Sequence, residues 1–432
     1  MNTIKVNSLN DFLNALKSQE PVNIELQSSI LFPCSLHLPE GFTITGVSKE
    51  RSIMSFNSSE GVGLTKDNSI EGVSVLCNPN SRAIFIVGND SDLGLIELRD
   101  LRVIGQVQIL TREPVQKTKL VAENIDIVSC DARHYSEQPQ KYGVNVYQGA
   151  FTVYNYNSDP NSLIDINLKG ISVGREGAPV FGSGLFVSGF SDNGGWVKGN
   201  IIETFDIYSI GMIPFGQPNM ITGGVFAVYG THITTIHNKG TVTTYGVNDM
   251  VLDTWGEVDN WICDKKITSY GPSGIGFVNF GIVKSFVAHD TIETFGQGAR
   301  GFNQYDGTVG RIEFKSIITH GDGSIAVQVS KPIGEIVVNE NIETFGSVGK
   351  TLVKGVILTL SADGLSIKEG GLVDEITVKG DIITHGDNVV SYSVNGGEVK
   401  NIIVNGKVIA EGDGSQRISV VNNGKTDIKN LH

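Results

Sequence analysis

Apolar residues two apart recur in short runs along this chain, and the runs themselves recur. Ile333, Ile336, Val338, Ile342 and Thr344 precede Gly346 at fixed offsets. Val258, Trp261, Cys263, Ile267 and Ser269 hold the same offsets before Gly271, and Val283, Phe286, Ala288, Ile292 and Thr294 hold them before Gly296. The set returns as Val373, Ile376, Val378, Ile382, Thr384 and as Val399, Ile402, Val404, Val408, Ala410. Steps of two predict short strands with one buried face. The intervening steps of three and four predict corners. Helical spacing is absent, so helix-pair solenoids do not fit.

Gly246, Gly271, Gly296, Gly321 and Gly346 stand 25 residues apart, and each closes a Thr/Ser-aromatic/His-Gly phrase. Gly386 closes another after 40 residues, and Gly412 follows 26 later. A period in the range of roughly 20–50 residues marks solenoids and propellers. With strands and corners inside each unit, the expected architecture is all-β: a single-stranded parallel β-helix, one coil per 25 residues, with coils stacked about 4.8 Å apart. Ile267, Ile292 and Ile342 should then form a buried ladder. Ser269, Thr294, Thr319, Thr344 and Thr384 should form a hydroxyl ladder beside the glycine corner, where glycine would supply a positive φ. The 40-residue intervals ending at Gly246 and Gly386 read as a coil with about 15 inserted residues, which in repeats map to loops. The expected organisation is one domain over 1–432, with regular repeats over 206–412 and an irregular, loop-bearing coil over 112–159.

At the N-terminus, Ser8-Leu9-Asn10-Asp11 can open a helix over 8–17. Leu9, Phe12, Leu13 and Leu16 give that helix one apolar face. Strands are expected at Val22–Leu26, Leu36–Leu38, Phe42–Gly46 and Ile53–Phe56, split by Pro39-Glu40-Gly41 and Ser48-Lys49-Glu50. A helix followed by such strands resembles the opening of right-handed parallel β-helices of the pectin/pectate-lyase-like superfamily. The resemblance implies a right-handed coil whose open end is covered by the helix. It brings no catalytic residues. The Trp-x-Asp-His of pectate lyases is absent, and Arg112-Glu113-Pro114-Val115-Gln116-Lys117 matches their Arg-x-Pro-x-x-Arg only up to the last place. No polygalacturonase set is present.

A net charge of −13 argues against a nucleic-acid partner. No apolar run reaches the roughly 18 residues of a membrane span. No basic-then-apolar leader follows Met1, so a cytoplasmic location is expected. Gly182-Ser183-Gly184 lacks a surrounding βαβ unit, and Gly321-Asp322-Gly323-Ser324 and Gly412-Asp413-Gly414-Ser415 read as turns. No histidine pair has zinc-helix spacing, so no cofactor or metal is expected. Cys34, Cys77, Cys130 and Cys263 show no CxxC spacing and read as free, buried thiols.

The candidate chemistry lies just after the glycines. Met250-Leu252-Thr254, Ile275-Phe277-Asn279 and Arg300-Phe302-Gln304 form one alternating set, mostly apolar, expected inward. Val251-Asp253-Trp255, Gly276-Val278-Phe280, Gly301-Asn303-Tyr305 and Ala326-Gln328-Ser330 form the other, expected outward. Trp255, Phe280 and Tyr305 would make an outer aromatic stripe, with Asp253, Asn303 and Gln328 beside it. Rings next to carboxylates and amides suit a polyhydroxylated ligand. Arg300 is anomalous in an inward column and needs a partner, with Asp249, Asp306 and Gln304 nearest by position. The expected function is binding of, or action on, an acidic or polyhydroxylated saccharide, lyase- or epimerase-like if catalytic. Asp253 or Asp306 would be the general acid/base. Arg300 or the outward Arg311 would stabilise negative charge. A second row, Phe205, Tyr245, Tyr270, Phe295, His320, Phe345 and His385, supports the alternative of a non-catalytic scaffold that self-associates through aromatic ladders.

Overall fold

A computed structural model describes residues 1–432 except 58, 215, 216, 218, 354, 355, 430 and 432. Among the described residues the chain is nearly all parallel β-sheet, with one short helix, α1, at Leu9–Ala15. It divides into two compact units, one made of residues 1–139, 148–208 and 228–234, the other of 140–147, 209–227 and 235–432. Each unit is built of parallel β-helical coils.

In the first unit the Ser8 side chain caps α1 by accepting from the Asp11 amide at 3.2 Å. Phe12 is buried from the helix face and meets Phe32 edge-on at 5.1 Å, and Phe32 stacks on Phe56 at 5.0 Å. The helix therefore roofs the apolar column of the first coils. A strand that the pattern did not announce, Asn2–Val6, precedes it and pairs in parallel with Val22–Leu26. Within 112–159, regular strands occupy Lys117–Ser129 and Gly149–Asn155.

In the second unit each coil carries three strands. Asp249–Thr254, Glu257–Cys263 and Ile267–Ser269 form one coil, and Ile275–Asn279, Ile282–Ala288 and Ile292–Thr294 the next. Pairing follows the period: Met250↔Ile275, Val258↔Val283, Ile267↔Ile292. Ile267, Ile292, Ile317, Ile342 and Ile382 stack as one fully buried column. The hydroxyl ladder is buried beside it. Thr294, Thr319 and Thr344 donate to the carbonyls of Ala299, Ser324 and Ala362 at 2.8–2.9 Å, satisfying corner carbonyls that the sheet leaves over.

The corner glycines have a different cause from the one expected. None of the ladder glycines from Gly246 to Gly412 has positive φ. A Cβ on Gly271, Gly296, Gly321, Gly346, Gly386 or Gly412 would instead run into the carbonyl oxygen of the ladder glycine one coil earlier. Close backbone stacking selects glycine there. The left-handed position falls two residues later, at Asn248, Ser273, Gly298, Gly323, Asn388 and Gly414, with φ between 55° and 70°. Asn and Gly are the residues that tolerate it best.

The insertion after Gly346 is an antiparallel hairpin, Val348–Val353 with Val356–Ser361. In the other 40-residue interval the long strand ends at Ile210 and the next begins at Met220. All four cysteines are free. Cys77, Cys130 and Cys263 are buried, but Cys34 is exposed, contrary to expectation.

Candidate functional site

The first strand of each coil does not alternate throughout. Leu252, Phe277 and Phe302 pair in register and point inward, with Phe277 stacked on Phe286 at 4.2 Å. The residue before each also points inward. A Cβ on Gly276 would strike Ile292 Cγ2, and one on Gly301 would strike Ile317 Cγ2. Two consecutive inward residues invert the facing of everything before them. Met250, Ile275 and Arg300 therefore lie on the outer face, not in the core. Val251, Gly276, Gly301 and Ala326 turn inward, and at Gly276 and Gly301 the third-strand isoleucines leave no room for a Cβ. The expected inward placement of Arg300 is corrected on this ground.

The remaining outer residues stand where alternation puts them, but they are covered. Asp253 is fully buried and Trp255 is 3% exposed. The cover comes from two inserted segments of the same unit. Tyr142, on a short hairpin of Gln140–Lys141 with Val144–Val146, stacks on Phe280 at 4.4 Å and meets Trp255 edge-on at 5.4 Å. On its other side Phe280 stacks on Tyr305 at 5.2 Å. The 348–361 hairpin approaches from the opposite end. The Leu352 amide donates to Ser273 Oγ at 3.0 Å, and the Thr351 hydroxyl donates to the Gly298 carbonyl at 3.2 Å. The aromatic residues are thus the walls of a covered cleft, not an open stripe. Tyr142 itself has φ 55°, a costly conformation for a bulky residue.

The cleft holds about 50 Å³. Tyr142, Trp255, Phe280, Tyr305, Asp253 and Arg300 line it, with Met250, Ile275, Val278 and Leu352 as apolar wall. Arg300 is 1% exposed. Its Nη1 donates to the Tyr305 hydroxyl at 3.0 Å and its Nη2 reaches the Thr351 hydroxyl at 3.5 Å, while Nε has no acceptor. Among the described residues, Arg300 makes no ion pair with a carboxylate. Asp249 instead accepts from the Gly211 and Gly246 amides and the Thr222 hydroxyl, and burial outweighs these bonds to lift its pKa to about 6. Gln304 donates to the Asp306 carbonyl at 2.8 Å. Neither is the partner of Arg300.

Neither Asp253 carboxyl oxygen accepts a hydrogen bond of normal geometry. Burial pushes its pKa well above the usual carboxylate range. The Thr254 amide and Trp255 indole oppose that shift without reaching bonding geometry. Burial thus favours the protonated acid, a hydrogen-bond donor, over the carboxylate.

The other candidates lie elsewhere. Asp306 follows the strand, half-exposed, 3.8 Å from Lys331. Arg311 is on the neighbouring Thr308–Phe314 strand and is bound by Glu335 at 2.6 Å and Glu313 at 2.7 Å. Neither lines the cleft, so the set Asp253, Arg300, Asp306 and Arg311 is not assembled. Asn303 is fully buried, and its amide finds no partner among the described residues. Gln328 is nearly buried and reaches Ser330 Oγ at 3.4 Å. Sequence reasoning missed Tyr142 and Thr351, which belong to inserted segments outside the repeat register.

The second aromatic row is a face-to-face stack. From Tyr245 through Tyr270, Phe295, His320 and Phe345 to His385, centroids are 4.5–5.4 Å apart and planes lie within 15°. Its ring faces are occupied by one another, leaving edges to the outside. Tyr270, Phe295 and Phe345 are exposed. Glu293 binds His320 at 2.8 Å and also Lys266, and His385 lies between Glu343 at 2.8 Å and Glu411 at 2.6 Å. Among the described residues no cluster of His, Cys, Asp or Glu has metal-holding geometry, and no helix is long and apolar enough to cross a membrane.

The chain matches no protein-family model, no curated protein and no solved structure.

Proposed function

We propose that this chain is a carbohydrate-binding β-helix protein whose ligand enters the cleft between Trp255, Phe280, Tyr142 and Tyr305. The observation that supports this reading is the coincidence of aromatic walls with buried, unspent hydrogen-bonding capacity on Asp253 and Arg300. Apolar sugar faces and edges pack on rings, and hydroxyls bond to polar groups between them. About 50 Å³ is room for a few waters, each needing ~10–15 Å³ of cavity on this kind of measure. The part that enters is therefore a substituent of the sugar. A whole ring requires Tyr142 or the 348–361 hairpin to move. Of the catalytic candidates, Asp253 and Arg300 share the cleft while Asp306 and Arg311 do not, so among the described residues no second carboxylate stands there and binding is the reading we favour. The test is calorimetric titration with a panel of mono- and oligosaccharides. Tyr142→Ala should weaken the best ligand by about 1–3 kcal/mol, the value of one aromatic anchor. No binding to any member, or an unchanged Kd in the variant, rejects the reading.

A second reading, self-association, rests on the exposed edges of the Tyr270–Phe345 stack. Light scattering separates it: a monomer at high concentration, unchanged in Phe295→Ser, leaves this surface without a partner copy.

A further inference from the structure

Arg300 is the one buried arginine among the described residues, and it is in an unusual state for a buried cation. A guanidinium carries five N–H donors in a planar fork. Here one hydroxyl, that of Tyr305, engages Nη1 at 3.0 Å. A second, that of Thr351, lies at the limit of bonding distance from Nη2, and Nε points at no acceptor. Buried charges are ordinarily paired, because desolvation is costly and only an opposite charge with good geometry offsets it. The other ionisable side chain of the cleft, Asp253, is fully buried, has no partner among the described residues on either carboxyl oxygen and forms no ion pair with Arg300. Two polar groups that a folded protein normally satisfies are thus left open to one small cavity.

We propose that Arg300 is the anion subsite of this cleft and that the ligand presents to it a carboxylate-sized planar anion. This rests on the reading of the cleft as a ligand site. The shape agrees with the charge. A fork with Nε unspent and Nη2 held only by the long 3.5 Å contact to Thr351 matches the two oxygens of a carboxylate side-on. The cavity has room for a group of that size and not for a sugar ring. The Tyr305 hydroxyl, already on Nη1, fixes the plane of the guanidinium. The Thr351 hydroxyl reaches over from the hairpin, so the hairpin position and the anion are coupled. Phe280 and Trp255 form the dry side of the pocket, where a charge-assisted bond gains strength from low dielectric.

The experiment titrates wild type, Arg300→Met and Arg300→Lys with sodium acetate, glucuronate and glucose by calorimetry, with thermal melting of each protein alone. Acetate and glucuronate should bind wild type, and glucose should bind at least tenfold more weakly than glucuronate. Arg300→Met should weaken both acids at least tenfold, and Arg300→Lys should recover only part, because it lacks the fork. The melting temperature of ligand-free Arg300→Met should equal or exceed that of wild type, since removing an unpaired buried cation relieves a cost. Two results overturn the proposal: acid binding that survives Arg300→Met, or a ligand-free Arg300→Met that melts well below wild type, which makes the guanidinium structural. Glucose and glucuronate binding equally well, independent of Arg300, ends the anion subsite and leaves the saccharide reading standing. Acetate binding that depends on Arg300, with no sugar bound, supports the subsite and ends the saccharide reading.

Discussion

Single residues in this fold are chosen by what lies one coil away. Gly296 sits under the Gly271 carbonyl, so Gly296→Ala must push two stacked backbones apart. We expect a loss of about 1–3 kcal/mol, the scale of overpacking a tight site. Gly177 has φ +71° but open space around its missing Cβ, so Gly177→Ala carries only the left-handed penalty of about 1–2 kcal/mol. Urea denaturation of both, with hydrogen exchange at residues 271–274, separates the causes. Unchanged exchange there in Gly296→Ala would contradict backbone crowding. His385 offers a second residue-scale test. Partial burial lowers its pKa, but hydrogen bonds and charge from Glu343 and Glu411 win and raise it above 6.5. A raised folded pKa adds stability that is present in full below the unfolded value and is lost as pH rises through the folded one. Wild type should therefore gain over His385→Phe, which keeps a ring in the stack, at pH 5.5 relative to pH 8.5. A difference between the two proteins that does not vary with pH would show that the imidazolium adds nothing.

Elements show where sequence was legible and where it was not. The Ile267–Ile292–Ile342 ladder was readable because one offset repeats, and the structure adds Ile317 to it by the same register. Arg300 was misplaced because alternation was carried through a point where two consecutive residues face inward. The clue was present in Gly276, Gly301 and Ala326, whose small size marks an inward position against the isoleucine column. Tyr142 and Thr351 were not legible at all, because inserted hairpins have no period to place them. This yields an element-scale prediction. Replacing residues 348–361 by a short Gly-Ser turn should leave far-UV circular dichroism β-rich and melting cooperative. It should also expose Arg300 and widen the cleft, so that acids bind with faster exchange and without selectivity for small groups. If the shortened chain fails to fold, the hairpin is a structural part of its coil and not a wall added to it.

At the larger scale, the stability of the ladders is a sum over neighbouring coils, since their strands pair only with the coil before and the coil after, while the inserted segments add contacts that skip coils. Long-range electrostatics act differently: a net charge of −13 repels anionic partners at a distance. An acid ligand must therefore be captured at short range by Arg300, and raising ionic strength should speed its association where a free-standing cationic patch would be slowed. The coil-sum picture is tested by Ile292→Ala. Ile292 is fully buried between Ile267 and Ile317, so the cavity should cost about 2–5 kcal/mol. In a one-dimensional array that cost is local. Amide exchange should accelerate most in the coils holding residues 267–269, 292–294 and 317–319, less at 382–384, and not at all in 22–26 or 43–46. Uniform acceleration along the whole chain would mean that the molecule opens only as a single cooperative body. The nearest-neighbour account of its stability would then fail, even with every ladder in place.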